Sequence, residues 1–167
     1  EPDPSASISI VNGGSRIVCL DPDGSVDLLA RDTANVTATF KWSNGSTGSL
    51  ISVPTDNIGT QSTTAYSYNS CGDSALSNSI TVEVVALPNK PVLSESNNVI
   101  TSNTSTGLKW YFNDRRPNRW QFANETGATF DVTGKGYPSG TLIGASITDL
   151  ASGCESEIGE LEGFTVS

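Results

Sequence analysis

Residues 107–127, GLKWYFNDRRPNRWQFANETG, crowd five aromatic side chains (Trp110, Tyr111, Phe112, Trp120, Phe122) against four bases (Lys109, Arg115, Arg116, Arg119). The whole chain has twelve aromatic and nine basic residues in 167, so this segment is where side chains able to grip a ligand concentrate. An aromatic ring beside planar polar groups can stack on the apolar face of a sugar while Arg and Asn bond its hydroxyls. Other chemistries are removed by composition. There is no His, which excludes Ser-His-Asp and Cys-His arrangements and the usual zinc shells. Three Cys cannot build a four-thiolate metal site. An acidic balance, with a net charge of -9 and a pI near 4.2, argues against nucleic acid, whose phosphates need a basic face. The eighteen Asp and Glu are scattered over turns, and none forms the apolar-set carboxylate pair that glycoside hydrolysis uses. A non-enzyme is expected, with no catalytic residue to assign.

Those side chains must be positioned by strands. Ser, Thr, Asn, Gly and Val dominate a chain poor in charge, which suits short strands and tight turns. No run of eighteen apolar residues exists, so membrane insertion is not expected. The opening EPDPSAS reads as a linker, and the chain as a piece of a larger protein. TFKWSNGST (39–47) is echoed by GLKWYFNDR (107–115), and each copy continues to a Cys beside a Gly and a closing alternating stretch. ALPNKP (86–91) separates the copies, its prolines favouring an extended connector. Two domains are expected, 1–87 and 88–167.

In the first copy, strands are expected at 5–11, 25–30, 37–42, 63–68 and 79–85, with Ala38, Phe40 and Trp42 on one face. In the second they are expected at 97–102, 107–112, 127–133, 145–150 and 163–167. Leu108, Trp110 and Phe112 share one face of GLKWYF, and Lys109 and Tyr111 the other. No segment has a helical period. The fold class is all-β, two tandem immunoglobulin-like β-sandwich domains, with Trp42 and Trp110 in the cores.

VCLDPDGSVDLLA, FKWSNGSTGSLISV and NSCGDSALSNSITVEV together resemble the Ig-like repeats of secreted Bacteroidetes surface proteins. The second half, with NNVITSNTSTGLKWYFN, TGATFDVT and SGCESE, is similar to a companion type lacking the first Cys. The resemblance implies a secreted or cell-surface setting, in adhesins or beside exported polysaccharide-degrading domains. It also implies a Cys19–Cys71 disulfide. That bridge would close a loop of about 50 residues, worth roughly 4 kcal/mol on the chain-entropy model, and would fit an oxidising compartment. Cys154 is then left over.

DPDGSVD places Asp21, Asp23 and Asp27 like the start of a calcium loop, yet it lacks the far bidentate Glu, and Asp-Gly is ordinary turn chemistry. Twenty-nine positions separate Trp42 from Cys71, and forty-four separate Trp110 from Cys154. Part of the excess falls near 114–125, so Trp120 inherits no core position. Tyr111, Arg115, Arg119, Trp120 and Phe122 are therefore the candidate ligand-binding residues. Alternatively, Trp120 and Phe122 cover the sandwich and the arginines meet the acidic run Asp149, Glu155, Glu157, Glu160 and Glu162. The function expected is a non-catalytic spacer or adhesion module whose partners are the neighbouring domains of its parent protein. The alternative is a carbohydrate-binding module on a glycoside hydrolase, contacting extracellular polysaccharide or surface glycan.

Overall fold

The computed structural model describes residues 4–34, 37–70, 72–114 and 119–166. Contacts divide the chain into two compact units, Glu1–Ala86 and Leu87–Ser167. Among the described residues there is no α-helix, only a short 3-10 turn at Val11–Gly13. Each unit is an immunoglobulin-like β-sandwich.

The first unit contains β1 (Ala6–Ile10), β2 (Ile17–Cys19), β3 (Ser25–Asp32), β4 (Thr39–Trp42), β5 (Leu50–Pro54), β6 (Gly59–Thr63), β7 (Ala65–Asn69), β8 (Gly72–Asp73) and β9 (Ile80–Val85). One layer has the order β1-β3-β5. The remaining strands form two further three-stranded sheets, β2-β9-β6 and β4-β7-β8, with Thr64 alone between β6 and β7 in the chain. Alternation decides which side chains meet between the layers. Val26, Leu28 and Ala30 of β3 and Ile51 and Val53 of β5 face Phe40 and Trp42 of β4 and Ile80 and Val82 of β9 in one buried cluster. β2 pairs with β9 in parallel. Asn78 completes the edge: its amide donates to the carbonyl of Ile8 (2.9 Å) and accepts from the Ile8 N–H (2.9 Å), so a side chain supplies the bonds a neighbouring strand would give.

The second unit contains β10 (Leu93–Ser96), β11 (Val99–Ser102), β12 (Leu108–Asn113), β13 (Gln121–Phe122), β14 (Thr129–Asp131), β15 (Leu142–Ile147) and β16 (Gly159–Glu160). Its layers are β10-β11-β14 and β13-β12-β15-β16. Ile100, Phe130 and Val132 pack against Leu108, Trp110, Ile143 and Ala145. The Trp110 and Phe130 rings stack with centroids 5.4 Å apart.

Two strand expectations are corrected here. The strand expected at 145–150 is Leu142–Ile147, because Ile143, Gly144, Ala145 and Ser146 are all buried. A strand covered on both faces has no alternation to read. The closing GFTVS forms no strand among its described residues. Val166 instead exchanges backbone hydrogen bonds with Gly140 (2.7 Å) and Thr141 (3.2 Å), just ahead of β15, and Gly159–Glu160 takes the edge position beside it.

Cys19 and Cys154 are each disulfide-bonded. This corrects the expectation that Cys154 has no partner. Cys71 lies outside the described residues.

Non-reducing peptide mapping is expected to find Cys154 in a cross-linked peptide. Recovery of Cys154 as a freely alkylated thiol would contradict it. Trp110→Ala is expected to lower stability by about 3–5 kcal/mol in urea unfolding, the usual cost of emptying a large aromatic site.

Candidate functional site

Both core tryptophans carry an indole N–H that must be satisfied once buried. Trp42 Nε1 donates to the carbonyl of Gly48 (2.7 Å), and Trp110 Nε1 donates to that of Gly127 (2.7 Å). The acceptor lies 6 residues beyond Trp42 but 17 beyond Trp110. The insertion is thus hung between two points fixed by the same hydrogen bond. Its return is secured at Trp110, whose N–H donates to Glu125 (3.1 Å) and whose carbonyl accepts from Ala123 (2.8 Å).

On the way back the insertion adds β13 to the edge of β12, with Phe122 opposite Tyr111 and Gln121 opposite Phe112. Tyr111 therefore has Phe122 on one side and, across β15, Gly144 on the other. The Tyr111 and Phe122 rings lie 5.8 Å apart and inclined by 54°. Gly144 is glycine for a packing reason: a Cβ there would meet Ile158 Cγ2 at 2.6 Å and Trp120 Cη2 at 3.1 Å. Trp120 is half-buried over that gap, and Phe122 remains 48% exposed.

Next to this ring cluster is a polar one. Lys109 lies opposite Ser146 on the outer face of the sheet. Glu155 reaches between them and accepts from Lys109 Nζ (2.8 Å), Tyr111 Oη (2.7 Å) and Ser146 Oγ. Burial works to raise the Glu155 pKa. The hydrogen bonds from Lys109, Ser146 and Tyr111 outweigh it and hold the carboxyl down to about 2. The Glu155 hydrogen bond raises Lys109 in turn, while burial and then that bond raise Tyr111. This carboxylate is fixed in its ionised form. It can orient Tyr111, but it has no proton to deliver near neutral pH.

Of the expected ligand residues, Tyr111, Trp120 and Phe122 come together on one face. Arg119, next to Trp120 in the chain, is exposed, and Arg115 lies outside the described residues. Arginines were the cations expected to meet the acidic run, yet Lys109 meets Glu155. Glu155 and Ser146 were missed as parts of this face. The outward phase of Lys109 and Tyr111 was the available signal; the residue that reaches back to them, 46 and 44 positions away, was not readable.

Asp21, Asp23 and Asp27 serve local geometry. The Asp21 carboxylate accepts from the Asp23 N–H (3.1 Å), its carbonyl accepts from the Gly24 N–H (3.1 Å), and Asp27 accepts from Ser52 Oγ (2.6 Å) across β3 and β5. Among the described residues, no group of three or more His, Cys, Asp or Glu is placed to hold a metal ion.

No family model matches the chain, and no curated protein matches it. Among solved structures it is similar to the human OSCAR ligand-binding domain, at 11% identity over 96% of this chain and 98% of that one, with a TM-score of 0.35. A two-domain fibronectin type III segment of chicken tenascin aligns at 10% identity over 96% and 98%, with a TM-score of 0.31. The BSP domain of a biofilm associated protein aligns at 18% identity over 99% of this chain but 29% of that one, with a TM-score of 0.29. All three scores lie below 0.5, so the fold assignment rests on the strands and cores above.

Because the Glu155 pKa is lowered on folding, its contribution to stability is complete above the ordinary value of 4.5 and is lost as pH falls through about 2. Melting temperatures measured from about pH 6 to about pH 2 are expected to fall more steeply for the wild type than for Glu155→Gln. Parallel curves would remove Glu155 as the residue responsible.

Proposed function

We propose that the protein is a non-catalytic tandem Ig-like module of a secreted or surface-attached bacterial protein, acting as a spacer and adhesion module for the domains beside it. The observation that carries this reading is how the side chains with chemical capacity are used. Trp42 and Trp110 are buried and hydrogen-bonded within their own units, and Trp120 covers Gly144. Glu155, its carboxyl pulled down to about 2, is engaged by three donors. Each unit also has its own buried cluster, as a module that transmits position requires. The secreted setting is supported by the resemblance of the sequence and by the bonded cysteines. No cofactor is part of this reading.

One observation favours a second reading, a carbohydrate-binding module attached to a glycoside hydrolase. Phe122 stays exposed beside Tyr111 on the face that the insertion builds. The inclination of the two rings makes a bent surface rather than a flat one, which suits a single sugar ring better than the plane of a crystalline polymer.

A pull-down on beads carrying soluble glycans, whose single sugar rings are accessible, separates the two. The spacer reading expects the washed beads to retain none of the protein. Retention that Phe122→Ala abolishes would replace it with the second reading, since that exposed substitution is expected to change stability by no more than about 1 kcal/mol.

A further inference from the structure

A separate cleft of about 330 Å³ lies in the second unit, where the turn between β10 and β11 meets the loop that follows β14. It is lined by Asn98, Thr133, Gly134, Gly136 and Tyr137 over a base of Val132 and Val166. The volume sits at the lower end of the range for small-molecule sites, roughly 300–1,000 Å³. Neither the repeat nor the insertion accounts for it.

The cleft has three properties that together select a ligand. Its wall is an aromatic ring held in place from behind: Tyr137 packs on Phe112 (centroids 4.8 Å apart) and Phe130 (6.1 Å), and remains half-exposed in front. Its polar groups are neutral and available. Among the described residues, neither the Asn98 side-chain amide nor the Tyr137 hydroxyl has a hydrogen-bond partner, and together they offer donors and acceptors. Asn98 is nevertheless well placed, because its N–H donates to Glu95 Oε1 (2.7 Å) and its carbonyl accepts from Val132 (3.1 Å). The rim also exposes backbone. Gly134 and Gly136 sit at φ +70° and +72°, where a side chain would be strained, and nothing lies within 4 Å of where their Cβ atoms would be.

Among the described residues, no charged side chain lines the cleft. Lys135, between the two glycines, is ion-paired with Glu125 and sits over the Phe130 ring (5.3 Å). An ionic ligand would find no counter-charge among the lining residues, and a wholly apolar one would leave the amide and hydroxyl unbonded. A pyranose ring satisfies both demands, with an apolar C–H face for Tyr137 and hydroxyls for Asn98, Tyr137 and the glycine backbone. We propose that this cleft binds one neutral pyranose residue, which would give the second unit a glycan contact independent of the insertion.

The test is a titration of the ¹⁵N-labelled two-unit chain with methyl glycosides of glucose, galactose, mannose and xylose, followed by backbone amide shifts. At least one glycoside is expected to cause saturable shifts at Gly134, Gly136 and Tyr137, with a Kd on the order of millimolar. Tyr137→Phe keeps the ring and its packing, and Asn98→Gly suits the φ of +65° at that position. Each removes one hydrogen-bonding group and is expected to weaken binding about 5–10-fold. The proposal fails if none of the glycosides produces saturable shifts at these amides. It fails equally if the shifts persist with unchanged affinity in both variants. Shifts confined to Tyr111 and Phe122 would overturn it while supporting the carbohydrate reading of the outer face, so the two are told apart in one experiment.

Discussion

A tryptophan buried between two sheets brings one polar hydrogen with it, and that hydrogen must be bonded. Left alone it would cost about 1–3 kcal/mol, a large part of what holds a domain of this size together. In both units the solution is the same, a glycine carbonyl aimed at Nε1 from the turn beyond the tryptophan strand. That bond fixes where the chain must return, so whatever lies between tryptophan and glycine is free to vary only in how it travels.

The second unit exploits that freedom. The acceptor lies 17 positions beyond Trp110 where it lies 6 beyond Trp42, and the added length becomes β13 and the cover over β15. The consequence reaches the neighbouring strand. With Trp120 and Ile158 over Gly144, and Glu155 over Ser146, the outer face of β15 carries small residues at these two positions. A sheet normally open to water on this side is closed there, and the closure carries the Lys109–Tyr111–Ser146–Glu155 cluster. Burial that would otherwise neutralise Glu155 is overcome because three donors converge on it.

Much of the fold was legible because alternation and turn chemistry are local. Phe40 and Trp42, and Leu108 and Trp110, lie on the faces their spacing indicates, and all four are buried. The reading failed where a local pattern was overwritten. β15 lost its alternation to two-sided burial, and GFTVS reads as a strand although, among the described residues, Val166 bonds to the approach to β15. The candidate site was half legible. Tyr111, Trp120 and Phe122 were singled out because the repeat could not account for them, and they do share a face. Glu155 could not be assigned to that face, because an acidic residue in a run of acidic residues carries no mark of which cation it will meet.

The sequence by itself determined the all-β class, the turns, the inward tryptophans and the excess chain in the second copy, since each follows from residue type and spacing along the backbone. Only the tertiary structure decided that the excess chain pairs with β12, that Trp120 covers a glycine rather than standing free, and that Lys109 is the cation holding Glu155. It also decided that Asn98 and Tyr137 line one cleft. Such outcomes depend on which distant segments are brought within a few ångströms of each other. A one-dimensional pattern of apolar and polar residues says which face a side chain takes, but not what it finds there.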